Sequence, residues 1–178
     1  IGKDEEHNAV IKERRNGQGA EVAGVTVEGK VAYLSLVQLQ AGVTWQKSHY
    51  TRPEKWSKDS SVPAEKRIFR TPDWYGYFTA TYSPVKPLNI ALSGTYTGSM
   101  IVQHMKGYIP KDIAVTTPDF FDMNLKISYD FSLYKFITLQ LNAGIQNIFN
   151  AYQRDFDQGK ERDSGYIYGP SMPRSYFA

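Results

Sequence analysis

An all-β chain, an antiparallel transmembrane β-barrel segment of about seven strands, is predicted by three observations. Apolar and polar residues alternate with period two over six long stretches, the mark of strands with one apolar and one polar face. Each full strand runs to about twelve residues, which at ~3.3 Å per residue and ~40° tilt crosses ~30 Å of bilayer. Strands of soluble proteins average only about five or six residues. The connections also alternate strictly between short turns and long loops, as in barrels with short periplasmic turns and long extracellular loops.

Composition agrees. The chain has 178 residues, enough for one domain, and its 13 Tyr are an excess that suits strands meeting water, headgroups or sugars. No run approaches the roughly 18 apolar residues of a membrane-spanning helix, which excludes a helical membrane protein and leaves a barrel open. The 21 basic and 18 acidic residues are spread evenly, so no basic block marks a nucleic-acid surface. Cysteine is absent, which removes disulfides and thiolate metal sites. The start at Ile1-Gly2-Lys3, without initiator Met or signal peptide, reads as the start of a fragment.

Residues 1–20 are polar and read as a loop closing on the turn Asn16-Gly17. From Ala20, Val25, Val27 and Val31 share one face, and Thr26, Glu28 and Lys30 the other. After a tight turn at 33–36, Val37, Leu39, Ala41, Val43 and Trp45 alternate with Gln38, Gln40, Gly42, Thr44 and Gln46. A long polar loop is expected from about His49 to Arg70. Phe78, Ala80 and Tyr82 then oppose Tyr77, Thr79 and Thr81. Beyond the turn at Pro84–Pro87, Leu88, Ile90, Leu92 and Tyr96 oppose Asn89, Ala91, Ser93, Thr95 and Thr97. A second long loop spans about Met100 to Pro118. Phe121 to Tyr129 form the next alternating strand against Asp122 to Asp130. After a turn at 132–135, Ile137 to Ile145 alternate with Thr138 to Gln146. A third long loop ends near Pro173, where a seventh strand begins.

Alternation alone does not say which face is outside. A soluble antiparallel β-barrel that binds an apolar ligand would turn the same apolar rows inward. Tyr33, Trp45, Trp74, Tyr82, Tyr129 and Phe131 lie near strand ends, where membrane barrels carry aromatic girdles, and this favours the membrane reading.

Several segments, in order, carry a resemblance: Leu39-Gln-Ala-Gly-Val-Thr-Trp45, Arg70-Thr-Pro-Asp-Trp-Tyr-Gly-Tyr-Phe78, Leu92-Ser-Gly-Thr-Tyr-Thr-Gly98, Phe120-Phe-Asp-Met-Asn-Leu-Lys126 and Asn142-Ala-Gly-Ile-Gln-Asn-Ile-Phe149. With the charged loop that follows, and Gly169-Pro170 through Pro173-Arg174, the chain resembles the C-terminal end of TonB-dependent outer-membrane receptors, especially those of Bacteroides-type bacteria. The resemblance implies that residues 1–178 are the C-terminal third of a twenty-two-stranded receptor barrel, with the plug domain lying outside this chain. It implies an outer-membrane active transporter rather than an enzyme, taking up a scarce nutrient such as an iron chelate (siderophore) or cobalamin. The implied partners are the TonB energy-coupling complex, acting through the plug, the ligand, outer-membrane lipid and a surface lipoprotein. No cofactor and no nucleic acid are implied. Members of the family continue past the equivalent of Phe177-Ala178 to a terminal aromatic residue, so the final strand is expected to be incomplete here.

The candidate ligand-binding residues are loop aromatics and one histidine: Trp56, His104, Tyr108, Phe156, Tyr166 and Tyr168. Aromatic faces stack on ligands, and they pack loops on one another equally well. Asp155, Asp157, Gly159, Glu161 and Asp163 look superficially like a calcium loop. However, Lys160 stands where the loop glycine belongs and Tyr166 replaces the bidentate Glu, so a solvated charged loop with Arg154 and Arg162 paired to its carboxylates is expected instead. Met100, His104 and Met105 offer soft ligands, against the plainer reading that the methionines pack and His104 faces water. His7 and His49 are isolated and read as surface histidines. No nucleophile elbow, paired nucleophile and base, or phosphate loop is present. Asp122 and Asp130 share a strand face, but eight residues at strand rise put them ~26 Å apart, too far for an acid/base pair.

Overall fold

The computed structural model describes residues 2–4, 9–11 and 19–178. Among the described residues twelve strands are present: β1 (Gly2–Asp4), β2 (Ala9–Ile11), β3 (Ala20–Tyr33), β4 (Val37–Glu54), β5 (Glu65–Arg67), β6 (Trp74–Val85), β7 (Leu88–Thr97), β8 (Ile101–His104), β9 (Ile113–Thr116), β10 (Phe120–Tyr134), β11 (Ile137–Gln146) and β12 (Ser175–Phe177). β1 and β2 pair as a separate hairpin. The predicted turn at Asn16-Gly17 and the predicted surface residue His7 lie outside the described residues.

The main sheet is an antiparallel meander in the order β3-β4-β6-β7-β10-β11-β12, with β5 added to the upper part of β4. Successive long strands are sheet neighbours, because each short turn closes a hairpin and each long loop returns to the same end. Directly opposed residues share a face, so the register writes rows across the sheet. Val27, Val43, Gly76, Tyr96 and Phe121 form one apolar row, and Val31, Leu39, Ala80, Leu92, Leu125 and Ile145 another.

Burial answers the question that alternation leaves open. Val43 and Trp45 are 46% and 39% exposed, whereas Thr44 between them is 9% exposed. On β10, Ile127 and Tyr129 are exposed while Ser128 is buried. At these positions the polar side chain is the shielded one, the order of a wall whose apolar rows face outward, while Gln38, Gln40 and Gln140 on the same polar face are exposed. The polar face is cross-linked by side chains: Thr26 and Thr44 hydroxyls are 2.9 Å apart, Gln40 Nε2 donates to Tyr77 Oη (3.3 Å), Tyr77 donates to Glu28 (3.2 Å), and Ser128 donates to Asn142 (2.8 Å). An apolar surface of this extent, left bare to water, is foreign to a monomeric soluble protein.

The aromatic belts are in place. Trp45 and Trp74 are register partners at the loop end, with ring centroids 6.3 Å apart. Tyr33 and Tyr82 both oppose Val37 at the turn end, and Tyr129 and Phe131 pack at 4.5 Å on β10. Trp74 and Tyr82 stand eight residues apart on β6, ~26 Å along the strand and ~20 Å across the bilayer when tilted ~40°, close to the ~25 Å apolar band of membrane barrels.

Two expectations are corrected. β4 does not end near Gln46 but continues to Glu54, where Lys47–Tyr50 stay paired with β3. Above the membrane both faces of a strand are wet, so the alternation that marks it lower down disappears. The second long loop is not irregular either, since β8 and β9 form a hairpin inside it.

Candidate functional site

Three loops meet at one end of the sheet: 55–73, 98–119 and 147–174. The only well-enclosed apolar side chains among the described residues lie here and at the adjoining strand end, namely Val62, Ile101, Val102, Phe120 and Tyr166. Ile101 and Val102 are adjacent yet both buried, because the β8–β9 hairpin is covered on two sides, and this sets His104 at the end of β8 inside the cluster.

His104 is 6% exposed. Its Nε2 lies 3.0 and 2.9 Å from the two carboxylate oxygens of Asp157. An ionised carboxylate only accepts, so Nε2 carries the proton and donates. The imidazole is stacked on the Tyr166 ring at 3.7 Å, nearly parallel. Asp157 also accepts from the Asp163 backbone N–H (2.9 Å), and Asp163 in turn accepts from the N–H groups of Met105 (2.8 Å) and Gly165 (2.8 Å). The second loop is thus fastened to the third by charged acceptors on one and N–H donors on the other.

Below this pair, Asp155 takes the hydroxyls of Tyr166 (2.9 Å) and Tyr168 (2.7 Å), one on each oxygen. Burial alone would raise the Asp155 carboxyl, but the two phenols, Tyr168 foremost, hold it below its ordinary value. Burial and the neighbouring carboxylate push Tyr166 up to about 12 and raise Tyr168 as well. Gln153, 1% exposed, donates to the Tyr166 carbonyl (3.1 Å) and accepts from the Tyr168 N–H (2.9 Å), fixing the backbone that presents both phenols.

The first loop joins through Arg70 and Ser57, and the Arg70 backbone N–H also donates to the Ile101 carbonyl (2.8 Å). Arg70, held at φ 60°, donates from its guanidinium to the carbonyls of Ile167 (2.7 Å) and Gly165. Ser57 donates to Asp112 (2.6 Å), whose other oxygen accepts from the Lys106 N–H (2.7 Å), and these bonds keep the Asp112 carboxyl below its usual range. At the foot of the third loop Asn147, at φ 51°, accepts from the Ala151 N–H and donates to the carbonyls of Ala151 and Met172, which ties the 170–173 strap to the end of β11.

Of the six predicted residues, His104, Tyr166 and Tyr168 come together. Phe156 is half-buried on the same loop, Trp56 is half-buried edge-on to Phe69 at 5.3 Å, and Tyr108 is an exposed tip. The water-facing reading of His104 is overturned by its burial and by Asp157. The same contact removes its Nε2 from a soft-metal set with Met100 and Met105. The calcium-like stretch is used up by hydrogen bonds at Asp155, Asp157 and Asp163. Among the described residues no group of three or more His, Cys, Asp or Glu is placed to hold a metal. Arg154 lies over the Tyr152 ring at 5.0 Å and Arg162 donates to the Gly159 carbonyl (3.2 Å), not to the carboxylates expected for them. Gln153, Arg70 and Asn147 are not singled out as site residues in the sequence, and Asp157 is read there only as part of a solvated charged loop. Their partners lie up to 97 residues away, and no local spacing signals them.

On the polar face beneath the loops, two cavities of about 390 and 270 Å³ meet at Asp122 and Pro170. Asn124, Gln146 and Ser171 line the first, and Thr97, Phe120 and Tyr168 the second. Asp122 Oδ1 is buried without a hydrogen-bond partner. Polar groups beside aromatic faces at this end of the polar side form a surface suited to contacting a small polar solute.

No family model and no curated protein matches the chain. Solved structures do. The ferric-catecholate import receptor Fiu of Escherichia coli K12, in a closed form, superposes with a TM-score of 0.61 at 19% identity, over 88% of this chain and 20% of that one. FpvA of Pseudomonas aeruginosa, in a complex with a heterologous pyoverdine and iron, superposes with a TM-score of 0.58 at 16% identity, over 87% of this chain and 18% of that one. The fold is that of an antiparallel transmembrane-barrel wall, and the chain spans about a fifth of the length of these receptors.

Proposed function

We propose that this chain is part of an outer-membrane receptor for a scarce nutrient, with an iron chelate of the siderophore kind as the ligand class and cobalamin as the next. The loops capture the ligand, and the polar face lines its route. The TonB complex supplies energy through a plug domain outside this chain, and a surface lipoprotein is a further partner. No step of this scheme breaks or makes a covalent bond, so no catalytic residue is called for.

The observation that carries the reading is the orientation of the sheet, apolar rows outward between two aromatic belts and hydrogen-bonded polar rows inward. A soluble barrel has the reverse order. The two similar structures add the ligand class, since one is named for ferric-catecholate import and the other holds a ferric pyoverdine.

The test is to express the full-length gene product that contains this chain, fractionate the cells, and follow uptake of radioactive iron as catecholate, hydroxamate and pyoverdine chelates with and without the proton gradient. Recovery in the outer membrane with gradient-dependent uptake is expected. Recovery in a soluble fraction without detergent would overturn the reading in favour of the soluble barrel with an apolar ligand.

A further inference from the structure

Two cavities lie one above the other along β4. The lower, about 570 Å³, lies across the apolar rows. Gly29, Ala41, Gly76 and Gly94 give it a low floor, and aliphatic and aromatic side chains such as Leu39 and Phe121 form its walls. Its size falls within the roughly 300–1,000 Å³ of pockets that hold a small ligand. The upper cavity, about 300 Å³, lies where the upper part of β4 meets the second loop: Lys47, His49, Arg67 and Asp73 line it, together with Met100, Ile101 and Thr116. Lys47 and His49 share the outward parity of Trp45, and Arg67 is the register partner of His49, so these groups stand just above the Trp45–Trp74 belt.

The spacing between the cavities fits one molecule. Ala41 and Lys47 are six residues apart, ~20 Å along the strand and ~15 Å along the membrane normal, which is half of a ~30 Å hydrocarbon layer. We infer that this face binds a phosphate-bearing lipid, with an acyl chain in the glycine-floored groove and the headgroup phosphate between Lys47 and Arg67. The inference rests on the membrane reading.

Groove and basic rim each restrict the occupant. In hydrocarbon, association depends on close packing rather than on escape from water, and an unfilled notch forfeits those contacts. A flexible chain fills the floor where it is open at Gly29, beside the Phe78 ring that lies over Gly94. Basic groups at the interface attract anionic headgroups. The competing partners of the rim are weak. Glu21 sits 3.4 Å from His49 and Glu65 3.5 Å from Arg67, both in solvent-facing pairs that a phosphate can displace. A second copy of the barrel is the poorer occupant, because it would set Lys47 and Arg67 against their own counterparts.

The experiment uses the full-length protein, reconstituted from detergent with phosphatidylglycerol or phosphatidylcholine and then examined by native mass spectrometry for retained lipid. Retention of phosphatidylglycerol at least about tenfold above phosphatidylcholine is expected. Lys47→Gln with Arg67→Gln removes the preference. Gly29→Val lowers retention of both lipids, and it does so without a clash, since a Cβ at Gly29 meets nothing within 4 Å. Equal retention by wild type and variants, in protein that still inserts into membranes, overturns the lipid site alone. Displacement of phosphatidylglycerol by inorganic phosphate marks an anion site with no lipid specificity and overturns it too. Failure of the wild type to enter membranes overturns the membrane reading instead.

Discussion

In the sheet, Thr44 is nearly enclosed while its neighbours Val43 and Trp45 face outward; in the loops, Val102 is fully buried and Tyr166 is 4% exposed. The loops thus obey the rule of a protein in water, with apolar groups inside and polar groups bonded around them. The wall inverts it, because its apolar groups find their low-dielectric surroundings in the bilayer, and its strands are held by backbone ladders and a polar ladder within. The difference teaches that the two regions answer to different solvents. A perturbation of one therefore leaves the other largely intact.

The largest expected effect lies in the loops. His104→Ala takes the Nε2–H away from the buried Asp157 carboxylate and removes the ring stacked on Tyr166, and leaving a buried charged acceptor short of a donor costs about 3 kcal/mol or more. Hydrogen exchange in 101–116 and 155–168 is expected to accelerate by about a hundredfold or more, with that of β6 and β7 unchanged. Equal acceleration in both regions would mean that they unfold as one.

Next comes a pair of substitutions in the wall. Leu92→Arg places a charge on the lipid side at a cost of about 2–4 kcal/mol near the midplane, and Ser93→Arg, one residue on, points to the wet side at far smaller cost. The yield of folded, heat-modifiable barrel checks this. A loss that is the same for both positions would contradict the assigned faces.

The junction between the regions gives a smaller effect. Asn147→Ala removes three hydrogen bonds and puts Ala at φ 51°, for about 1–3 kcal/mol. Asn147→Gly recovers only the backbone part. Protease sensitivity at 170–173 is the readout.

The smallest is a pH dependence confined to the loops. The lowered Asp155 carboxyl contributes stability that is present above the ordinary value of 3.8 and lost as pH falls below it. Raised Tyr166 contributes stability that is present below 10 and lost as pH rises through about 12. Phenolate absorbance should therefore appear late, together with loosening of 153–168, while the wall's circular dichroism stays constant.

The strands inside the membrane were legible because the bilayer enforces period two, and Val37 to Trp45 shows it without a break. Orientation was legible only through the aromatics at the strand ends, since Leu39 and Gln40 alternate identically in either sense, and the shielding of Thr44 and Ser128 agrees with it. Lys47 to Glu54 was missed where water reaches both faces. The β8–β9 hairpin was missed because four-residue strands are too short for a periodic signal, although Ile101-Val102 and Ile113-Ala-Val115 are apolar islands in a polar loop. In the candidate site, loop aromatics could be named from residue type alone. Their acceptors could not, because Asp157 is 53 residues from His104 and nothing local connects them.

The three tryptophans fall on both sides of this division. Trp45 and Trp74 sit as a pair at the bilayer boundary, while Trp56 lies among the loops against Phe69, its indole N–H bonded to the Pro63 carbonyl. The molecule therefore carries its own optical labels. The emission lost with Trp56→Phe, taken by difference, reports the arrangement of the loops, so a ligand that moves them can be watched without adding a dye. The emission lost when both interfacial tryptophans are replaced by Phe reports entry into lipid, through its wavelength and quenching.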